Sequence, residues 1–110
     1  MENLKTKLTR EQYEKVFGTS FHDVEITTTV AKLKKVLGEP DIVENTGRDK
    51  SNFQWVRLTS TGIIFSVYDY KEYRKLKMKE DIEFHIGGHS FADTQIAQKE
   101  IMDELSKLNK

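Results

Sequence analysis

Three strand-like segments in the second half of the chain constrain its fold most strongly. They span residues 53–58, 63–70 and 82–86, and they are rich in β-branched and aromatic side chains or alternate apolar with polar ones. The turn at residues 59–62 joins the first two, and its glycine is free to adopt a positive φ. Short connections between consecutive strands favour an antiparallel sheet with helices packed on one face.

Capping residues mark three helices around these strands. Thr9 and Gln12 have the spacing of a capping box, which predicts a short helix near the start of the chain. Residues 30–37 place valine and leucine at helical spacing, and the Gly-Glu-Pro that follows ends this helix. Ser90 is the N-cap predicted for the last helix, which extends to about residue 108 with an apolar stripe.

One further strand is predicted at residues 21–26, where apolar side chains alternate with charged ones. The polar stretch 41–52 and the charged stretch 73–81 are predicted to be connecting loops. The predicted order is therefore α-β-α-β-β-β-α, an α+β fold with about four antiparallel strands. Since 110 residues fit one compact unit, we expect a single domain at 9–110 after a loose segment at 1–8.

The composition excludes several classes of function. The chain has no cysteine, so it has no disulfide, no thiolate zinc site and no thiol nucleophile. Its 18 basic and 18 acidic side chains cancel, which argues against generic nucleic-acid binding. We find no signal peptide and no apolar run of the roughly 20 residues that span a bilayer. We therefore expect no membrane partner and a cytoplasmic location.

A glycine pair between a strand and a helix is the first candidate site. His85 lies in the strand, Gly87 and Gly88 are predicted to break it, and Ser90 opens the helix. Such a turn directs backbone N–H groups and the helix dipole at one spot, and His85 and His89 would add two donors. This interpretation predicts a pocket for a phosphate or carboxylate. The alternative is a turn that needs its glycines for geometry alone, with Ser90 as an ordinary cap.

An aromatic strand end is the second candidate site. Tyr68, Asp69, Tyr70 and Lys71 follow one another there, and Trp55 lies on the preceding strand. Exposed tyrosines beside an acid and a lysine suit stacking on a planar ring with polar recognition of its edge. The alternative is a cross-strand cluster that stabilises the sheet. For Trp55 the structural interpretation is favoured, whereas for the two tyrosines both interpretations stand.

No catalytic residue, metal site or cofactor is predicted. The histidines lack a metal-ligand spacing such as His-Glu-x-x-His, and Ser90 has no nucleophile elbow around it. Five basic side chains lie between Lys71 and Lys79. Such a run is usually a solvated loop, and it can also steer an anionic ligand towards the neighbouring turn.

Four segments in this order resemble a family of small accessory proteins of bacteriophages and prophages. The segments are residues 29–40, 54–55, 67–71 and 85–88, with the Tyr-Asp-Tyr-Lys strand end and the His-Ile-Gly-Gly turn among them. The resemblance covers about residues 19–90, with Phe84 where the family has tryptophan. It implies a context rather than an activity, namely an accessory phage product that acts in a bacterial cytoplasm.

These features together suggest a protein that binds an anionic small molecule. The leading hypothesis is sequestration of a nucleotide-type signal of a host defence system, such as a cyclic nucleotide. Because a nanomolar complex requires about 12 kcal/mol, more than one exposed turn supplies, we expect a homo-oligomer. The alternatives are an inhibitor that docks on a host defence protein and a small phosphodiesterase that uses His85 and His89.

Overall fold

The computed structural model describes residues 4–16, 18–43, 52–70 and 75–108. Within these ranges it has five strands, which are β1 (Ser20–Thr28), β2 (Ile42–Val43), β3 (Phe53–Leu58), β4 (Ile64–Asp69) and β5 (Ile82–Gly88). The helices of the same ranges are α1 (Arg10–Tyr13), which continues into a 3₁₀ turn (Glu14–Val16), α2 (Val30–Leu37) and α3 (Phe91–Lys107). All strand pairs are antiparallel, in the spatial order β1-β5-β4-β3-β2. The predicted α+β class and antiparallel sheet are confirmed.

The sheet has one strand more than the predicted four. The additional strand is β2, whose Ile42 and Val43 pair with Gln54 and Phe53 at the edge of the sheet. It lies in the stretch that the sequence predicts as a polar connection. Two residues are too few to show a period, so only the neighbouring strand β3 identifies β2 as a strand.

Capping residues next to each helix explain where α1 begins and where α2 begins and ends. The side chains of Thr9 and Gln12 each accept a hydrogen bond from the other's backbone N–H, as a capping box requires. Thr29 accepts from the backbone N–H of Lys32 at 3.0 Å and so caps α2. Gly38 ends α2 with a φ of 82°, a value that residues other than glycine rarely adopt.

The core lies between one face of the sheet and helices α2 and α3. Trp55 pairs with Val67, which pairs with Ile86, so these side chains form a row on that face. The same core contains Val24, Ile26, Phe53, Phe65, Leu76, Ile82 and Phe84, together with Val30, Leu33, Val36, Leu37, Ala97 and Ile101 of the two helices. Apart from Ile63, which is partly exposed, the residues predicted to point inward from β4 and β5 are buried.

The N-terminal segment lies against the opposite face of the sheet. Leu58 and Ile64 point away from the core because they alternate with core-facing neighbours. They line an open cleft with Gln12 of α1 and Lys15 of the 3₁₀ turn, and this turn contacts β4. Helix α1 is therefore the exception to the predicted placement of helices on one face. Leu4 packs against the core, so the described end of the segment predicted to be loose is attached.

A buried arginine fastens the end of α2 to β3. Arg57 is fully buried, and its guanidinium donates to the backbone oxygens of Leu37 and Glu39 at 2.8 and 2.7 Å. It also forms an ion pair with Asp41 at 2.7 Å, and the same carboxylate accepts from the backbone N–H of Val56. These contacts satisfy carbonyl groups that the end of a helix leaves without partners. Arg57 is therefore part of the framework of the fold.

The charged connection before β5 is held against the core rather than solvated throughout. Residues 71–74 lie outside the described residues, but Leu76 is buried in the core. The backbone N–H of Ala31 donates to the oxygen of Met78 at 2.9 Å, which attaches this connection to the start of α2. Its Lys75, Lys77 and Lys79 remain exposed. In the part of the chain that the structure describes, no helix is both long and apolar enough to cross a membrane.

Candidate functional site

Three side chains form a row across the face of the sheet opposite the core. The sequence predicted two of them, His85 and Tyr68, as site residues, and the third is Glu25. His85 on β5 pairs with Tyr68 on β4 and with Glu25 on β1. Directly paired residues project to the same side of a sheet, and the neighbours of His85 in β5, Phe84 and Ile86, point into the core. Glu25, His85 and Tyr68 therefore share the non-core face, at the end away from α1.

Four rings gather around this row, and we refer to Phe21, Tyr68, Tyr70 and His85 as the aromatic cluster. The ring of His85 stacks on that of Phe21, with centroids 3.9 Å apart and planes 11° apart. Tyr70 stacks on His85 at 5.0 Å and 27°, while Tyr68 meets it edge-on at 5.6 Å. Because β5 lies between β1 and β4, Phe21 and Tyr70 approach His85 from opposite flanks. The cluster thus extends across three strands.

A carboxylate lies at the rim of the aromatic cluster. Oε2 of Glu25 is 3.3 Å from Nε2 of His85. The carboxylate therefore lies against the edge of the His85 ring. The Glu25 side chain is 36% exposed, compared with 16% for His85, so Glu25 is the more accessible of the two to a ligand.

Burial affects the chemistry of Tyr68. The side chain is half-buried, and burial, followed by the neighbouring Tyr70, raises the pKa of its phenol above the ordinary value of 10.0. Tyr68 therefore stays neutral at physiological pH and presents an O–H group. Such a group can donate a hydrogen bond to a ligand at the cluster.

The glycine pair does not form the predicted turn. Gly87 and Gly88 belong to β5, where Gly87 pairs with Phe21 of β1 and Ser66 of β4. A Cβ on Gly87 would lie 2.7 Å from Oγ of Ser66, and one on Gly88 would lie 2.9 Å from Cγ2 of Thr94. The glycines are therefore needed for close packing on both faces of the strand. The prediction that they break the strand is wrong, whereas phosphate binding by their amides stays a prediction.

His89 and Ser90 lie apart from the aromatic cluster. Nε2 of His89 bonds to the backbone oxygen of Lys15 at 2.8 Å, and Ser90 accepts from the backbone N–H of Asp93 as the cap of α3. His89 also lines the open cleft at the end of the sheet, whose volume is about 510 Å³. The two histidines have separate partners, since His85 contacts Glu25 whereas His89 contacts Lys15. The predicted site is thus divided between two places.

Trp55 and Asp69 are structural residues. Trp55 is fully buried, and its Nε1–H donates to the backbone oxygen of Gly38 at 2.8 Å, so we assign it to the core rather than to a ligand surface. The carboxylate of Asp69 is fully buried and accepts from the backbone N–H groups of Asn52 and Phe53. The edge recognition proposed for this acid is therefore not available.

Lys71, the remaining predicted site residue, lies outside the described residues. Phe21 and Glu25 are the site residues that the sequence alone did not identify. Apolar Val24 and Ile26 alternate with polar residues, which predicts a strand with one solvent-exposed face. This alternation is the sequence signal that could have pointed to Phe21 and Glu25. The pattern does not reveal that β1 pairs with β5, about 60 residues further along the chain. This pairing brings both side chains to His85.

Among the residues that the structure describes, no three histidine, aspartate or glutamate side chains are grouped so that they could hold a metal ion. No model of a protein family matches the chain, and no curated protein or solved structure matches it either. The function is therefore argued from the geometry of the aromatic cluster.

Proposed function

We propose that this chain is a binding protein that sequesters a nucleotide-type signalling molecule of a bacterial host's defence system, acting in the host cytoplasm as a phage accessory product. The observation that carries the proposal is the gathering of Tyr68, Tyr70 and His85 on one face of the sheet. These residues were singled out from two separate segments of the sequence, and they lie in contact with one another.

The aromatic cluster offers a stacking surface. Tyr70 is 39% exposed, so part of its ring is accessible to a planar group from solvent. Stacking of a base on an aromatic side chain contributes about 1–3 kcal/mol and tolerates any base, because every base has a π-face. The neutral phenol of Tyr68 adds a hydrogen-bond donor beside this surface.

The phosphate groups of the ligand also require positive charge, because Gly87 and Gly88 lie within β5 and pair with its neighbouring strands. The exposed Lys75, Lys77 and Lys79 follow the strand that ends next to Tyr70. Such a local cluster of positively charged side chains attracts anions over a distance of one Debye length, which is about 10 Å at 0.1 M salt. We expect ligand association to slow as the ionic strength rises.

A second subunit would complete the site. A nanomolar complex requires about 12 kcal/mol, and a single stacking contact supplies only a small part of that. A homo-oligomer in which another copy covers the aromatic cluster would enclose the base and add contacts to the phosphates. Light scattering with and without ligand measures this, and the proposal predicts a mass above that of the 12.8 kDa chain.

An inhibitor that docks on a host defence protein is the second candidate. Phe91 and Met102 are each about half exposed, and they lie eleven residues apart on α3. Eleven residues are three helical turns, so both side chains lie on the same side of the helix. Exposed apolar side chains of this kind can anchor a protein interface. The phosphodiesterase hypothesis has no such support, since His85 and His89 have separate partners.

Calorimetric titration with a panel of cyclic di- and trinucleotides and nucleoside monophosphates tests the proposal. We expect the wild type to bind at least one of them and Tyr70→Ala to lose about tenfold or more in affinity, because the stacking ring is removed. Phe91→Ala is the matched control, since it removes an exposed ring away from the aromatic cluster. No heat with any nucleotide, together with a stoichiometric host protein recovered by the wild type and lost by Phe91→Ala, would favour the second candidate.

A further inference from the structure

We propose that the open cleft at the end of the sheet is a second binding site, which takes a free α-amino acid with an aliphatic side chain. The inference is independent of the proposed function, because no residue of the aromatic cluster lines this cleft. It concerns a cavity and two charged side chains to which nucleotide binding assigns no role.

Three parts of the chain line the cleft. Its apolar lining comes from Leu58 at the end of β3, from Ile64 at the start of β4 and from Ile63 between these strands. The N-terminal segment adds Gln12 and Lys15, and the first turn of α3 adds a carboxylate. The volume of about 510 Å³ is ample for a small molecule. Apolar surface and charged groups are thus available to one ligand.

A hydrogen bond joins two of these parts. Nε2 of His89 lies 2.8 Å from the backbone oxygen of Lys15, and His89 directly precedes the N-cap of α3. The contact therefore attaches the N-terminal segment to the start of that helix. Because the cleft is formed before a ligand binds, little ordering of the chain opposes binding.

Two opposite charges line the cleft without a charged partner. The ammonium of Lys15 and the carboxylate of Asp93 form no ion pair and no side-chain hydrogen bond with a described residue. A ligand that carries both an anionic and a cationic group can pair with both side chains. Asp93 would repel a purely anionic ligand and Lys15 a purely cationic one, so the lining selects a zwitterion.

An aliphatic amino acid has the three groups that this lining complements. Its carboxylate accepts from the ammonium of Lys15 and from the side-chain amide of Gln12, whose oxygen is already bonded to the backbone N–H of Thr9. Its ammonium group donates to Asp93. Its side chain covers the apolar lining, which removes that surface from water.

NMR titration of the methyl signals of Ile63 and Ile64 with four small molecules tests the inference. L-Leucine carries all three groups, whereas 4-methylpentanoate lacks its ammonium group, 3-methylbutylamine lacks its carboxylate and glycine lacks its side chain. An open cleft binds so small a ligand weakly, so we expect leucine to bind with a dissociation constant of about 1 mM. Each of the other three should bind about fivefold or more weakly.

Two variants of the cleft identify the charges that select the ligand. Asp93→Asn should abolish the preference for leucine over 4-methylpentanoate, and Lys15→Gln should abolish the preference for leucine over 3-methylbutylamine. The matched controls are Asp103→Asn and Lys99→Gln, which remove the same charges from an exposed ion pair on α3. Both controls should keep both preferences, and thermal melts establish that each variant is folded.

Absence of methyl shifts with leucine would overturn the inference. Equal affinity for leucine and 4-methylpentanoate would also overturn it, because Asp93 would then not select an ammonium group. The same loss of preference in Asp93→Asn and Asp103→Asn would show that only net charge matters, which again contradicts the proposed site. Each of these outcomes leaves the nucleotide proposal intact, since that proposal concerns the aromatic cluster.

Discussion

The substitution Gly87→Ala provides a sharp test of the strand geometry, because its cost should depend on one other atom. The φ of Gly87 lies outside the left-handed region, so the backbone accepts alanine there. The new Cβ would lie 2.7 Å from Oγ of Ser66, whereas its next neighbours, atoms of Ser20 and Tyr68, are 3.6 Å away. A contact of 3.6 Å is ordinary, so among the described residues the Ser66 hydroxyl is the only obstacle within that range.

The expected magnitude follows from this geometry. Overpacking of a buried site costs about 1–3 kcal/mol, and replacing glycine returns about 0.4–1 kcal/mol through the unfolded state, so Gly87→Ala should lower the free energy of unfolding by about 1 kcal/mol. Ser66→Ala removes the obstructing oxygen. This hydroxyl is buried and makes no hydrogen bond to a described residue, so its loss should cost little. The double variant should therefore be close to the wild type in stability.

Urea denaturation monitored by fluorescence measures all four proteins of this cycle. The chain has a single tryptophan, Trp55, and its full burial makes it a sensitive reporter of unfolding. We expect a coupling free energy of about 1 kcal/mol between Gly87 and Ser66. Additive costs would refute the reasoning, because they would show that a Cβ at position 87 does not meet the hydroxyl of Ser66.

Two further predictions concern buried polar groups. Arg57→Lys should lower the free energy of unfolding by about 3 kcal/mol in the same urea assay, because an ammonium group cannot replace the guanidinium contacts with Leu37, Glu39 and Asp41; a loss below 1 kcal/mol would contradict this. Phenol absorbance should show Tyr68 ionising above pH 10.0, because burial raises its pKa. The stability that this neutral phenol contributes is present below pH 10 and declines as the pH rises through the raised pKa. Burial also raises the pKa of Tyr13, so Tyr68→Phe should reduce the late ionisation by one phenol rather than abolish it, and an unchanged titration curve would refute the assignment.

Much of the fold could be predicted because its signals are local. The capping residues of α1 and α2, the glycine that ends α2 and the alternation in β3, β4 and β5 each depend on a few consecutive residues. The sequence therefore predicted the apolar face of α2 and its end before Gly38, while it left Thr27, Thr28 and Thr29 as alternative N-caps; the structure has Thr29 as the cap. It also predicted the burial of Val67, Phe84 and Ile86.

The features that were missed depend on distant partners. Gly87 and Gly88 resemble a turn in isolation, but pairing with β1 and β4 keeps them in the strand. The β1–β5 register is itself irregular between Phe21 and Glu25, where Asp23 adopts a φ of 64°. This bulge and the pairing of strands about 60 residues apart determine which side chains meet His85, and neither has a local signal.

The sequence identified Tyr68 and Tyr70 of the candidate site because alternation along their strand places both side chains on the same face of the sheet. The structure supports this reason. His85 was identified for a different reason. It was expected to assist a phosphate-binding turn, whereas it forms the centre of a ring stack. The stack is assembled from β1, β4 and β5, so no single segment of sequence contains it.

The most direct test of the central claim is the location of ligand contacts by NMR. The spectra of the labelled protein would be recorded during titration with GMP and, separately, with ribose 5-phosphate, which lacks the base. GMP should shift the ring signals of Phe21, Tyr70 and His85, and the sugar phosphate should not. Shifts confined to the cleft around Lys15 and His89, or equal shifts with both compounds, would contradict it.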